Sequence, residues 1–465
     1  MQPPQESADL ADVFARHTVD TTFDALPLAA VEAARSSTLD TLGCMVGATG
    51  FVPALRNIVE LLREAGGKPE STIIGFGARV PAWEAAFANG AMAHCLDYDD
   101  HMPEGHHPSS AVVPAVFAVA ERLGHVNGKD FLAAIALGQD IFARLRRNVQ
   151  WKQDWHLSPV LGIYAATAAC GKLLGLNQKQ MVNALGIATC QSACTMELGY
   201  GVGSDLRGMY PAFASKGAVF SALLAQRGIT GVQTAFEGRA GVMPVYFDGK
   251  WDKQAMVAKL GRDYQGAATM YKPWPSCGAS HVYIDATLKL LAAHPLGGAD
   301  IEKVIVHVGD FAQRLCEPLA ARRRPATVVD SKFSIPYAVA QAVARGRVGL
   351  GDFTEAALRD PEVLRVADKV EFVTDPQYNW SMHLPGGRVT IVTRSGQSLS
   401  CESHSDNVRG SAANPLTWID LVEKFSECAR HAANPISPAT TAQVCDAIHK
   451  IEEVDDVASI IALLG

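Results

Sequence analysis

Through most of the first 270 residues, apolar positions recur every three or four residues, in runs bounded by proline, glycine and small polar residues. That spacing lays apolar side chains along one face of a helix. It predicts helices over 8–17, over the run LAAVEAARSSTLDTLGCMVGAT that follows Leu26-Pro27, and over 52–65, where Gly66-Gly67 ends the helix. A short strand-like STIIG (71–75) follows, and a helix over 82–96 should stop at a group of aspartates. After His107-Pro108 the run SSAVVPAVFAVAERLG opens a new helix, with Ser109 or Ser110 as its cap and Pro114 near its first turn. Further helices are predicted over 129–146, from Ser158-Pro159 onward, over 178–194 and over 207–226. These are alanine-rich and apolar nearly all round, which predicts burial in a multi-layer helical core.

Near Tyr271 the period shortens to two. Residues 301–308, 369–374, 387–393 and 398–402 alternate as strands do, and helices are predicted between them at 280–293, 334–345 and 361–366. The tail returns to helix over 417–431 and 440–464, and should pack back on the first part of the chain. The expected fold is mainly α. A large all-helical domain spans 1–270 and is completed by 406–465, and a smaller α+β domain spans 271–405.

With 465 residues, 48% apolar and only 19% charged, the chain has the makings of a well-buried globular protein and not of a disordered one. A net charge of −7 with only two short basic runs, RLRR (144–147) and RRR (322–324), argues against nucleic acid as a partner. An anionic small molecule remains open, because local placement of cations decides that. The ten cysteines are scattered and form no CxxC; Cys190 and Cys194 would share a helix face but lack a second ligand pair, so no zinc site is expected. They suit reduced thiols. The N-terminal stretch has no basic segment followed by an apolar core, and no apolar run approaches the roughly 20 residues of a membrane span. A cytoplasmic location is the expectation. The glycines of GYGVGSD (199–205) do not follow a strand, so no nucleotide loop is read there.

The chemistry concentrates in residues 89–110, NGAMAHCLDYDDHMPEGHHPSS, which holds four histidines (His94, His101, His106, His107) and three aspartates (Asp97, Asp99, Asp100) between apolar helices. A helix C-terminus is an unfavourable place for a carboxylate, so Asp97 calls for a cationic partner. An Asp97–His107 pair would fix one imidazole tautomer and support it as a base. Asp99 and Asp100 suit capping or domain contacts. His156 directly precedes a predicted helix, where a neutral imidazole is favoured over a cation. Arg207, between a glycine-rich loop and an apolar helix, suits bidentate carboxylate binding. In KPWPSCGASH (272–281) two prolines stiffen a turn carrying Lys272, Cys277 and His281; Lys272 suits a second carboxylate contact, while nothing local makes Cys277 a nucleophile. Lys332 and Tyr337 open another helix and reach either a cleft or only the core.

Taken together, ANGAMAHCLDYDDHMPEGHHPSSAVVPAVFAVAE, KPWPSCGASHVYIDA, GITGVQTAFEGRAG, SKFSIPYAVAQAV and LDTLG (39–43) resemble the signatures of the MmgE/PrpD family, in order and over nearly the whole chain. The resemblance implies a helical domain with an inserted α+β domain and a homodimer. It implies no metal and no organic cofactor. It also implies a small di- or tricarboxylate substrate and one of three activities: 2-methylcitrate dehydratase, cis-aconitate decarboxylase or iminodisuccinate epimerase. On this resemblance Asp97, His107, His156 and Lys272 match the family's site residues; with the reading of the residues above, Asp97, His107, His156 and His101 are the expected catalytic groups, and Arg207, Lys272, Cys277, His281 and Tyr337 the expected substrate contacts. His101 stands where the family's decarboxylases have threonine, Arg207 where many members have lysine, and Cys277 where the decarboxylases have histidine. A methylcitrate-like dehydration is therefore the leading expectation. An epimerase comes second, with a decarboxylase or a non-catalytic paralogue behind.

Overall fold

The computed structural model describes residues 8–201 and 203–465; the first seven residues of the stretch read above for a leader, and position 202 in the glycine run, lie outside the described residues. The helical part comprises α1 (Leu10–Asp20), α2 (Leu28–Phe51), α3 (Ala54–Ala65), α4 (Ala82–His94), α5 (Ser109–Leu123), α6 (Gly128–Arg147), α7 (Leu157–Leu173), α8 (Gln178–Ala188) and α9 (Pro211–Gln226). A hairpin of β1 (Ser71–Ile73) and β2 (Ala78–Val80) joins α3 to α4. Helix α4 is the centre of the stack, packed on α2, α5 and α9. Its approach to α9 needs a glycine: a Cβ on Gly90 would lie 2.7 Å from Ser215 Oγ and 3.0 Å from the Ala212 Cα. The all-round apolar character of these helices thus matches their burial.

Local chemistry changes several expected boundaries. Helix α5 is capped by neither serine; Ser109 already lies inside it, and its N–H is met by the Asp100 carboxyl at 3.3 Å. Pro114 sits one turn further in than expected. The predicted 207–226 helix is two pieces, Leu206–Met209 and α9, because Pro211 has no N–H to continue the ladder and starts a new helix instead. The predicted 178–194 helix ends at Ala188. Beyond it the chain is drawn out to pair with residues 154–156: Met196 N–H donates to Asp154 O at 2.8 Å, and His156 N–H donates to Cys194 O at 2.9 Å. Cys190 and Cys194 therefore share no helix face.

A four-stranded sheet follows, in the order β4-β3-β5-β6, from β3 (Ile301–Val308), β4 (Val370–Thr374), β5 (Gly387–Thr393) and β6 (Ser398–Ser403). β3 and β4 run parallel; the other two pairings are antiparallel. Val304, Val306, Val389 and Ile391 are buried, as the period of two requires. Helix α10 (Gly278–Ala293) covers the β5–β6 side and packs on α11 (Ile335–Arg345). The last long helices are α12 (Trp418–Arg430) and α13 (Pro438–His449), with two short turns of helix after them in place of one continuous element. α12 lies along α2, close enough that a Cβ on Gly43 would be 3.2 Å from the Phe425 ring. Among the described residues no single helix is long and apolar enough to cross a membrane.

Candidate active site

The site begins where α4 stops. After His94 the chain turns tightly, with Asp97 in the left-handed region at φ 46° and His106 at φ 73°. Side chains other than glycine reach that region only at a cost, and it is accepted where surrounding bonds fix it. Those bonds are present. His101 and Met270 exchange N–H···O bonds of 2.9 and 2.8 Å, a two-residue bridge that sets Lys272 two positions further on. The Lys272 ammonium donates to the Asp97 carboxylate, and to the Asp97 carbonyl at 3.1 Å. From α12, Lys424 pairs with Asp40 at 2.6 Å and donates to both Tyr98 O and Lys272 O, tying the histidine loop to the lysine turn. The Arg207 turn is pressed against the same loop: a Cβ on Gly208 would be 2.9 Å from the Cys95 Cα.

These pieces bound one pocket that is partly open to solvent. The lining brings together His94, Asp97, His101, His107, His156, Arg207, Lys272 and Cys277, four separate stretches of sequence.

Hydrogen-bond partners fix the tautomers. A carbonyl oxygen only accepts, so His107 Nδ1, 2.7 Å from Asp100 O, carries the proton. Its second partner is Asp99 Oδ2 at 3.1 Å. Nε2 of His107 is left without a protein partner among the described residues. His101 Nδ1 likewise donates to Met102 O at 2.9 Å, leaving its Nε2 a bare lone pair. The other Asp99 oxygen takes His94 Nδ1 at 2.8 Å, so one carboxylate holds two imidazoles whose rings are 4.4 Å apart. The His156 ring lies tilted against Tyr210, centroids 4.1 Å apart, and its buried Nδ1 has no partner among the described residues.

Burial sets the protonation states. It pushes the His107 imidazole below its ordinary value, partly countered by Asp99, and drives His101 down to about 3. His156 lies well below its usual range because of burial, with His94, His107 and Arg207 adding repulsion. All three are neutral at pH 7. Burial opposes charge on Lys272, but Asp97 and Asp99 more than offset it and hold the ammonium above its ordinary value. Burial also opposes charge on Asp97, yet Lys272 and the flanking histidines keep it below the usual carboxylate range. Asp99 is held well below that range, burial being outweighed by His94 and His107. Arg207, lowered by burial to about 10, stays charged. Its guanidinium lies 3.9 Å over the Phe333 ring and, among the described residues, donates to Gly201 O alone.

The residues 12–254 match the MmgE/PrpD N-terminal domain model, and 274–449 match the MmgE/PrpD C-terminal domain model. The chain belongs to the MmgE/PrpD family. Among its relatives, a cis-aconitate decarboxylase-like protein of Aspergillus oryzae is 26% identical over 95% of this chain and 94% of its own. The cis-aconitate decarboxylase of Homo sapiens is 25% identical, over 83% and 80%. A 2-methylcitrate dehydratase of Cupriavidus necator is 26% identical, over 83% and 81%.

Within this MmgE/PrpD chain, three expectations need correction. Asp97 does not orient His107; it is engaged by Lys272, and Asp99 is the carboxylate on the imidazole. Tyr337 is wholly buried in α11, its hydroxyl donating to Asp352 O at 3.1 Å, and does not line the pocket. His281 is turned one helical turn away, where its Nε2 donates to Ser276 O at 3.1 Å and its ring meets Trp274. Cys277 does line the pocket, as the residue preceding α10, and burial pushes its thiol up. Lys332 is buried behind the site, donating to Leu96 O at 2.9 Å.

Several lining residues gave no signal in the sequence. Tyr210 is hidden in a helical run, and Arg314, Trp151, Phe311 and Trp380 lie in stretches without a motif. His94, Asp99 and His107 offer ligand atoms within 4.8 Å of one another, as a metal triad would. The proton that His107 Nδ1 must spend on Asp100 O occupies that lone pair, so the trio fits a hydrogen-bonded clamp better than a metal centre.

Proposed function

We propose that this MmgE/PrpD chain is a lyase that dehydrates a hydroxy-polycarboxylate of the 2-methylcitrate type by removing a proton next to a carboxylate. The observation that carries the reading is His107: neutral, with Nδ1–H fixed by Asp100 O and Asp99, and with Nε2 left as a base at the pocket. Arg207 and Arg314 line the pocket and have no carboxylate ion pair among the described residues, which suits them to the substrate's carboxylates. His107 Nε2 takes the α-proton. As the C–O bond breaks and the C=C forms, the leaving hydroxide takes a proton from the Lys272 ammonium and departs as water. His156, neutral at a helix N-terminus, hydrogen-bonds the departing oxygen. Preorganised donors of this kind typically supply on the order of 10²–10³-fold in rate each.

His101 fits the acid role poorly, since its free nitrogen has no proton. That same bare Nε2 favours one other reading: a two-base epimerase of an imino- or aminodicarboxylate. Decarboxylase and dehydratase relatives lie together between 24% and 27% identity, so identity favours neither reaction. We further propose a homodimer, supported by an exposed aromatic strip in which Phe213 and Phe220 of α9 stand 53% and 40% exposed beside Phe87 and Trp83 of α4. Ten free thiols support work in a reducing compartment such as the cytoplasm.

The test is a panel of hydroxytricarboxylates, unsaturated tricarboxylates and aminodicarboxylates incubated with the enzyme in D₂O. Dehydration yields alkene and water from the hydroxy acids. Deuterium uptake without alkene would replace the lyase with the epimerase, and carbon dioxide release with the decarboxylase.

A further inference from the structure

Part of the pocket lining is unsuited to any carboxylate. Trp151, Phe311 and Trp380 form one cluster there, with Trp151 and Trp380 centroids 5.6 Å apart at 79° and Phe311 stacked on Trp380 at 4.8 Å and 28°. Leu315 and Leu384 extend it. The cluster is continuous with the catalytic histidines: Trp151 meets His106 edge-on at 4.5 Å, and His106 meets His156 at 5.6 Å. It ends at Arg314, whose guanidinium lies 3.8 Å over the Phe311 ring. The surface between the proton-transfer groups and this second arginine is therefore aromatic.

A tricarboxylate with no side chain, or with one methyl, would leave uncovered the faces that these rings, Trp151 and Phe311 being 8% and 9% exposed, still turn to the pocket. Apolar area contributes to binding only when it is covered, and large aromatic rings contribute most. Gly105 keeps the space beside the cluster open, since it lines the pocket without a side chain and even a Cβ there would approach Leu384 and Trp380 only at 3.9 and 4.0 Å. The indole Nε1 of Trp380 is buried without a partner, so the cluster is held by ring contacts and not by a hydrogen bond from this nitrogen.

We propose that the substrate is a polycarboxylate bearing a hydrophobic arm longer than methyl, an alkyl chain of several carbons or a ring, seated against Trp151, Phe311 and Trp380 while Arg207 and Arg314 hold two carboxylates. This rests on the lyase reading for the reaction but not for the binding. It makes Trp380, Phe311 and Leu384 the residues that set substrate size.

Calorimetric titration of the full-length protein with succinate, 2-methylsuccinate, 2-butylsuccinate and 2-benzylsuccinate tests it without any turnover. Each buried methylene is worth about fourfold in affinity. The butyl compound should therefore bind at least tenfold tighter than the methyl one. Trp380→Ala should bring the butyl-to-methyl affinity ratio, measured within the variant itself, back to within about threefold of one. Because Trp380→Ala can also loosen the fold, Leu384→Phe provides a second arm: it should fill the space and lower the butyl-to-methyl and benzyl-to-methyl affinity ratios measured within that variant. Equal affinity across the series, or a gain that neither variant removes, would overturn the proposal. A butyl preference without turnover of the matching hydroxy acids would instead overturn the lyase reading and leave the arm site standing.

Discussion

In the proposed mechanism His107 can act as the base only while Nδ1 keeps its proton and Nε2 keeps its lone pair. The ring is held in that state by Asp100 O and Asp99 and kept neutral by burial. Substituting His107→Gln should therefore lower kcat by about 10²–10⁴-fold with little change in folding, read by steady-state kinetics beside a thermal melt. The sign of the pH dependence follows from the direction of the shift. A base whose pKa lies below the ordinary 6.5 stays active down to that lower value, so the acid limb of kcat/KM should fall below pH 6.5 and vanish in the variant. A limb at or above pH 6.5 would show another group to be the base. At this scale the sequence pointed to the segment that lines the pocket but paired His107 with the wrong carboxylate. The spacing of Asp97, Asp99 and Asp100 says nothing about which carboxylate faces the ring, because the left-handed turn at Asp97 redirects all three. Tyr337 failed for a similar reason: its position at a helix start is compatible with a cleft or a core, and the Asp352 carbonyl decides for the core.

The elements bring distant residues to one place through a few short pairings. The His101–Met270 bridge is two hydrogen bonds long, and Lys424 of α12 fastens both of its sides. Lys424 and Asp40 are buried together, 6% and 2% exposed. Removing one member of such a pair strands the other charge, at a cost of about 3–5 kcal/mol. Lys424→Met should lose about that much unfolding free energy in denaturant titration, and adding Asp40→Leu should restore much of it. An additive double variant would mean that the two groups are not coupled. Most of these elements were legible: the strands from their period of two, the buried helices from their runs of apolar residues. What misled were segments serving a distant partner. Residues 192–194 read as helix, yet they are drawn out so that the chain pairs beside His156, and no local pattern reports the bond that follows to residue 154. Pairings of that kind are set by tertiary contacts, which override propensity.

For the whole molecule, the unexplained surface is the aromatic strip on α4 and α9. Large apolar side chains exposed next to one another mark an association face. Phe213→Glu should shift a dimer toward monomer in sedimentation velocity without unfolding it; a wild-type monomer at micromolar concentration would remove the dimer. The two-part organisation was visible as a change of period near Tyr271, whereas the pocket itself was not, because no segment contains more than a fraction of its lining. The strap made by Lys424 has a temporal consequence. During synthesis the histidine loop leaves the ribosome first, the Lys272 turn well over a hundred residues later, and Lys424 among the last tenth of the chain. N-terminal parts of long chains fold early, but here they fold into something incomplete. Until α12 reaches α2, Asp40 lacks its cation, and the loop and turn lack the Lys424 bonds that brace the His101–Met270 bridge. Competence thus arrives in one late step, and a nascent chain arrested before position 424 should have helices but no working site.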